Sequence, residues 1–205
     1  ISNCIVSTHC NAIKLGTETN GGFRNINISN IVVKPSYDQN EVISGRLNGI
    51  SAISLEMVDG GVMENVNVNN VVVDGTESPI FIRLANRARG YKEGLAVTNV
   101  GKIDGVRISN VQVRNAGPTG CSITGLPGYP VENIHLDNIS IHHKGGITAE
   151  ALPKIEESVA DEREKSYPEA TMWGVLPAKG FFVRHARNVK FSNVEIQTQQ
   201  EDVRD

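Results

Sequence analysis

A phrase of alternating apolar and polar residues, with Asn at its centre, recurs along this chain. It reads RNINISNIVVK at 24–34, ENVNVNNVVVD at 64–74, DGVRISNVQVR at 104–114, ENIHLDNISIH at 132–142 and RNVKFSNVEIQ at 187–197. The opening ISNCIVS is the tail of one more copy. Aligned on the central residues Asn3, Asn30, Asn70, Asn110, Asn138 and Asn193, the steps are 27, 40, 40, 28 and 55 residues. The last is close to two of the shorter steps, or one step with a large insertion. Period-two alternation in β-branched residues predicts two short strands per copy, each with one face buried. The Asn between them predicts a sharp corner, because Asn tolerates left-handed backbone and its amide satisfies local backbone groups. Stacked corners would line those amides up in a hydrogen-bonded ladder.

A third apolar segment follows each corner after a variable loop: NAIKLGT (11–17), SAISLEM (51–57), SPIFIRL (78–84), CSITGL (121–126) and GFFVRHA (180–186). Three short strands per turn, a period near 27 and variation confined to loops describe a single-stranded parallel β-helix, an all-β solenoid. No one coil can bury its apolar face alone, so the coils must stack. A leucine-rich repeat would need a Leu-dominated consensus, and here Val, Ile and Asn dominate. The extra length sits at 34–49, 85–102 and 143–179, beside one set of strands, where it would line a binding face. Within the last of these, PKIEESVADEREKS reads as a charged helix or a solvated excursion. Both ends read as mid-solenoid, at ISN and at EDVRD. Residues 1–205 are therefore expected to form part of one β-helix domain, with N-terminal coils and the C-terminal end missing and 143–179 as a long insertion.

Charge and motif content narrow the function classes. A net charge of −3 gives no basic face for nucleic acid. No apolar run is long enough to span a bilayer. Cys4, Cys10 and Cys121 are irregularly spaced, so no disulfide framework or zinc module follows. Cys4, His9 and Cys10 lack a suitably spaced fourth metal ligand. His142 and His143, adjacent on a strand, point to opposite faces. Ser54 and Ser122 have no evident His/Asp companions, which argues against a serine hydrolase.

The third strand carries the chemistry. Alternation points Ile13, Leu15, Ile53, Leu55, Ile80, Ile82, Phe181 and Val183 inward. Lys14, Ser54, Phe81, Thr124 and Phe182 then form one outward row, and Gly16, Glu56, Arg83 and Arg184 the next. Glu18, Asp59, Arg87, Arg89 and His185 lie just beyond the strand ends. With coils about 4.8 Å apart, Glu56 and Arg83 should be direct neighbours with Lys14 close by. A flat face of interleaved carboxylates and guanidinium groups suits an acidic carbohydrate, whose carboxylate Arg binds bidentately. The plain alternative is a solvated charged face. Lys14, Glu56, Arg83, Arg87, Arg184 and His185 are the candidate substrate-binding residues, facing a groove bounded by 85–102 and 143–179. Tyr167 and Trp173 either stack on sugar rings or pack the long loop against the strands.

The stretches NAIKLGTETNGGFRNINISN, ISLEMVDGG, PIFIRLANRARG, SITGLPGYPVENIHLDNISI and YPEATMWGVLPAKGFFVRHARNVKFSNV together resemble glycoside hydrolase family 28, the polygalacturonase-like pectinases, in its divergent bacterial branch. The resemblance runs over essentially the whole chain. It implies a right-handed β-helix and inverting hydrolysis of galacturonan or rhamnogalacturonan by aspartates acting as acid and base, with no metal or organic cofactor. It also implies a periplasmic or extracellular location, a monomer at full length, and an acidic oligo- or polysaccharide as partner. Placed by the I-x-[IL]-G pattern, the family's G-H-G strand falls on Asn11 to Gly16, with Asn11 at the His position. Its R-I-K strand falls on Ser54-Leu55-Glu56, and no D-D pair occurs. No residue of this chain is therefore assigned as catalytic, and the catalytic coils are expected to precede Ile1. A non-catalytic carbohydrate-binding or structural β-helix is the competing expectation. A lyase on the same fold would need a calcium site, for which no acidic cluster is visible.

Overall fold

In a computed structural model, residues 1–36 and 48–204 are described. The strands are β1 (Ser2–Ser7), β2 (Asn11–Leu15), β3 (Phe23–Lys34), β4 (Gly49–Met57), β5 (Val62–Leu84), β6 (Lys102–Ala116), β7 (Cys121–Thr124), β8 (Val131–Gly145), β9 (Phe181–Arg184) and β10 (Ala186–Gln200). One short helix, α1 (Leu152–Ser158), lies in the PKIEES stretch where a charged helix was expected. The fold is all-β and the strand pairings between these elements are parallel.

The repeat phrases pair in the order β1-β3-β5-β6-β8-β10. Ile28 lies beside Val68, Val68 beside Ile108, Ile108 beside Leu136 and Leu136 beside Phe191. The third segments pair in a second path: β2 with β4, β4 with the C-terminal half of β5, then β7 and β9. Sequence copies are therefore structural neighbours, as the alignment on Asn expected. Residues 37–47, most of the 34–49 loop, lie outside the described residues.

Each central Asn has positive φ: 57° at Asn3, 58° at Asn30, 57° at Asn70, 55° at Asn110, 54° at Asn138 and 49° at Asn193. One left-handed residue uses up one place in the alternation. Val66 and Val68 point inward before Asn70, and Val71 and Val73 point inward after it. A strand of strict period two would have turned Val71 and Val73 outward. The amides bond along the stack, Asn30 to Asn3 and Asn70 to Asn30 at 2.9 Å, Asn138 to Asn110 at 2.6 Å and Asn193 to Asn138 at 2.8 Å. One link differs: Asn110 donates to Asn69 Oδ1 at 2.8 Å, which Ser109 also reaches.

A second left-handed row precedes the first by five residues, at Asn25, Asn65, Gly105, Asn133 and Asn188. Asn65 donates to Asn25, and Asn188 to Asn133. At the third position Gly105 has no amide, and Asn133 donates instead to the Asp104 carboxylate at 2.6 Å. In the sequence the dipeptides RN, EN, DG, EN and RN mark this row.

The core is a continuous stack of small aliphatics, among them Ile28, Val68, Ile108, Leu136, Ile53, Ile82 and Ile123, all nearly or fully buried. Phe181 and Val183 occupy the inward register, but Val183 is 40% exposed because its strand is the last of its path.

Candidate functional site

The outward face of the short-strand path holds the expected charges, with one change of row. The register runs Lys14, Ser54, Phe81, Ser122, Phe182. The next row runs Glu56, Arg83, Thr124, Arg184. Thr124 therefore belongs with the charges, not with Lys14. Ile123 stacks between Ile82 and Val183 and fixes that register. Glu56 and Arg83 are direct partners, as expected.

This face is not open. Residues 146–180, between β8 and β9, lie over it rather than beside it. Phe81 packs with Val159, Ala170, Trp173 and Leu176 in a second apolar cluster on the outside of the sheet, with Phe182 and Met172 at its edge. Glu56 and Arg83 are both 0% exposed. The expectation of a groove with Arg83 facing solvent is corrected here. Outward aromatics at Phe81 and Phe182 require an apolar cover, and the 146–180 segment supplies it.

Arg83 and Arg184 serve that cover. Arg83 Nη1 donates to Thr124 Oγ1 at 3.3 Å and to the Gly125 carbonyl at 3.2 Å, and Nη2 donates to the Glu162 carbonyl. Arg184 Nη1 donates to the Val159 carbonyl. The Trp173 ring lies against both guanidinium groups, 5.1 Å from Arg83 and 5.5 Å from Arg184. Its indole N–H donates to the Asp161 carbonyl at 3.0 Å. Of the two roles expected for Trp173, packing of the long loop is the one observed. Burial pulls the Arg83 guanidinium down to about 10, against the pull of Glu162, which leaves it charged at neutral pH. His185 Nε2 lies 2.8 Å from Glu162 Oε1, and Arg184 Nη2 lies 3.0 Å from Glu162 Oε2.

Lys14 centres a second group. Its Nζ lies 3.2 Å from Glu56 Oε1 and 3.3 Å from Glu169 Oε1. Ser54 Oγ donates to Glu56 Oε1 at 2.5 Å, so Glu56 is held by Ser54 and Lys14 rather than by Arg83. Its other oxygen has no hydrogen-bond partner. That oxygen lies where Gly16 has no side chain: a Cβ there would come within 2.8 Å of Glu56 Cβ. Burial pushes the Glu56 carboxyl up to about 7, with Lys14 and Ser54 opposing the rise. Burial alone would lower the Lys14 ammonium, but Glu56 and Glu169 together raise it. Asn11, at the family's His position, donates to Glu169 and accepts from Ser51.

Arg87 grips the buried Asp59 carboxylate through Nε at 2.9 Å and through Nη2. Asp59 also accepts from the Arg89 backbone N–H at 3.0 Å, and Glu18 pairs with both arginines. The exposed Tyr167 ring links the last two groups, 5.2 Å from Lys14 Nζ and 5.7 Å from Arg87. Sequence reasoning missed Glu162 and Glu169. They lie in a charged, aperiodic stretch, where spacing says nothing about which carboxylates turn inward.

The cysteines are free, and among the described residues no group of three or more His, Cys, Asp or Glu could hold a metal. His143 is buried and His142 is not, on opposite faces as expected. Among the described residues no helix is long and apolar enough to cross a membrane. A shallow concavity lined by Asn70, Asn110, Asn138 and neighbouring aliphatics such as Val111 shares no residue with the charged groups described above, and its asparagines are already bonded along the stack. No family model, no curated protein and no solved structure matches this chain.

Proposed function

We propose that the parallel sheet winds as a right-handed β-helix and that the Lys14 end of its short-strand face holds an acidic oligosaccharide. On this reading the chain belongs to a glycoside hydrolase that cleaves pectin-type galacturonan or rhamnogalacturonan with inversion. The motif resemblance supports the reaction class. The observation that carries the binding role is the cluster of Lys14 and Arg87 around the exposed Tyr167 ring. Cations fixed beside an aromatic face suit a sugar ring that bears a carboxylate. Glu56, buried beneath, holds Lys14 in place from 3.2 Å rather than touching the sugar. No residue is assigned to bond cleavage, and no cofactor is invoked.

Calorimetric titration with tetragalacturonate and with a neutral tetraose tests this. The acidic sugar should bind, more weakly at high salt, and the neutral one should not. Lys14→Ala should weaken binding about tenfold, roughly 1.4 kcal/mol. Equal binding of both sugars, or of neither, would overturn the reading. One observation favours a second reading, a non-catalytic binding or structural β-helix: Arg83 and Arg184 spend their donors on the chain's own carbonyls. Release of reducing ends from pectin by the full-length protein, catalytic coils included, separates the two.

A further inference from the structure

Two carboxylates of the covering segment sit on the cations of this face; Glu162 Oε1 meets His185 Nε2 at 2.8 Å, but their remaining contacts fit less well. Glu162 Oε2 lies 3.0 Å from Arg184 Nη2, yet neither atom completes a hydrogen bond. Arg184 Nε and Arg83 Nε are also buried without a partner. Glu169 is held by Lys14 at 3.3 Å and by Asn11 Nδ2 at 3.3 and 3.4 Å. Charge-assisted hydrogen bonds are normally several tenths of an ångström shorter. Other contacts also hold the segment in place. Its anchors are the Val159 and Glu162 carbonyls, the Trp173 ring between two guanidinium groups, and the apolar cluster under Phe81. Both side chains are also partly exposed, 27% and 24%, although Glu162 Oε2 itself is buried.

We propose that this face is a two-point anion site for an oligosaccharide bearing at least two carboxylates, and that Glu162 and Glu169 fill it as internal surrogates which such a ligand displaces. This rests on the acidic-sugar reading above. One point is Arg184 with His185, and the other is Lys14 with Asn11. They lie on β9 and β2, four strand steps apart, which is about 19 Å at ordinary strand spacing. A monosaccharide cannot bridge them. The arrangement makes binding a competition: the ligand's carboxylates must out-compete two tethered ones, and a ligand with a single charge gains only one point.

The test is titration of tetragalacturonate into the wild-type chain and into Glu162→Gln, Glu169→Gln and the double variant. Each single change should tighten binding severalfold, and the two effects should multiply, because the points are far apart. Glu164→Gln is the control: it removes the same charge from the same segment, but Glu164 accepts from Asn86 at 2.9 Å and touches neither point. It should leave affinity unchanged. The emission of Trp173 reports whether the segment stays docked in each variant. If Glu162→Gln undocks it, Glu169→Gln, remote from the Arg–Trp clamp, carries the test. Unchanged affinity in Glu169→Gln, or equal tightening in Glu164→Gln, would overturn the surrogate role while leaving the sugar reading intact. Absence of binding in every variant would overturn both.

Discussion

The Asn corners and the outer face of the short-strand path stack through the same repeats, yet they are built in opposite ways. At the corner each repeat presents the same residue at the same backbone angle, largely exposed, bonded to its own kind above and below. On the outer face each repeat presents something different, Lys14, Glu56, Arg83, Thr124 and Arg184, and three of these, Glu56, Arg83 and Thr124, are completely buried. Repetition suits a load shared among many small bonds. Variety suits recognition of one irregular partner, here the chain's own 146–180 segment. A corner should therefore lose stability gradually on mutation, while the outer face should lose it at single points.

The largest expected effect breaks the outer face. Arg83→Ala strands the Gly125 and Glu162 carbonyls and removes one wall of the Trp173 slot. It should cost about 3 kcal/mol, read as a lowered denaturation midpoint. A cost below about 1 kcal/mol would place Arg83 with ordinary surface charges.

Next comes pH. The Glu56 carboxyl titrates near 7 in the folded chain and lower when unfolded. The folded state thus binds the extra proton, and the contribution is present in acid and lost as pH rises from about 5 through 7. Wild-type stability should fall by about 2 kcal/mol over that window from this group, and Glu56→Gln should flatten the slope. Parallel pH profiles for the two proteins would show that Glu56 is an ordinary ionised carboxylate.

At the corner the expected effects are smaller. Asn138→Ala puts an alanine at φ 54° and removes bonds to Asn110 and Asn193. It should cost about 1.5 kcal/mol. Asn138→Gly relieves the backbone strain and should cost clearly less; Gly105 is also left-handed, at φ 77°. The smallest effect should come from Arg24→Ala. Arg24 and Glu64 lie 2.7 Å apart but are about half exposed, so the loss should stay below about 0.5 kcal/mol.

The sequence disclosed what repeats and little of what does not. The parallel pairing, the left-handed Asn and the Glu56–Arg83 adjacency all follow from period-two alternation and a constant step. CSITGL offers two small polar residues and no charge to choose between them, so alternation alone puts Thr124 one row off. The cover over Arg83 looks like a border in sequence for the same kind of reason. DEREKSYPEATMWG has no period, and only three-dimensional packing decides that Glu162, Glu169 and Trp173 turn toward the sheet. Outward Phe81 and Phe182 were the available signal, since two large aromatics on a supposedly solvated face call for something to bury them.

The 146–180 segment closes the charged outer face. The chain has one tryptophan, Trp173, 4% exposed between Arg83 and Arg184, so its fluorescence reports that interface alone. Acrylamide quenching of the native chain is the direct measurement. The expected result is blue-shifted emission with quenching several-fold weaker than in the urea-unfolded chain, and a rise in quenching on Arg83→Ala. Native emission as red-shifted and as readily quenched as in the unfolded chain would contradict it.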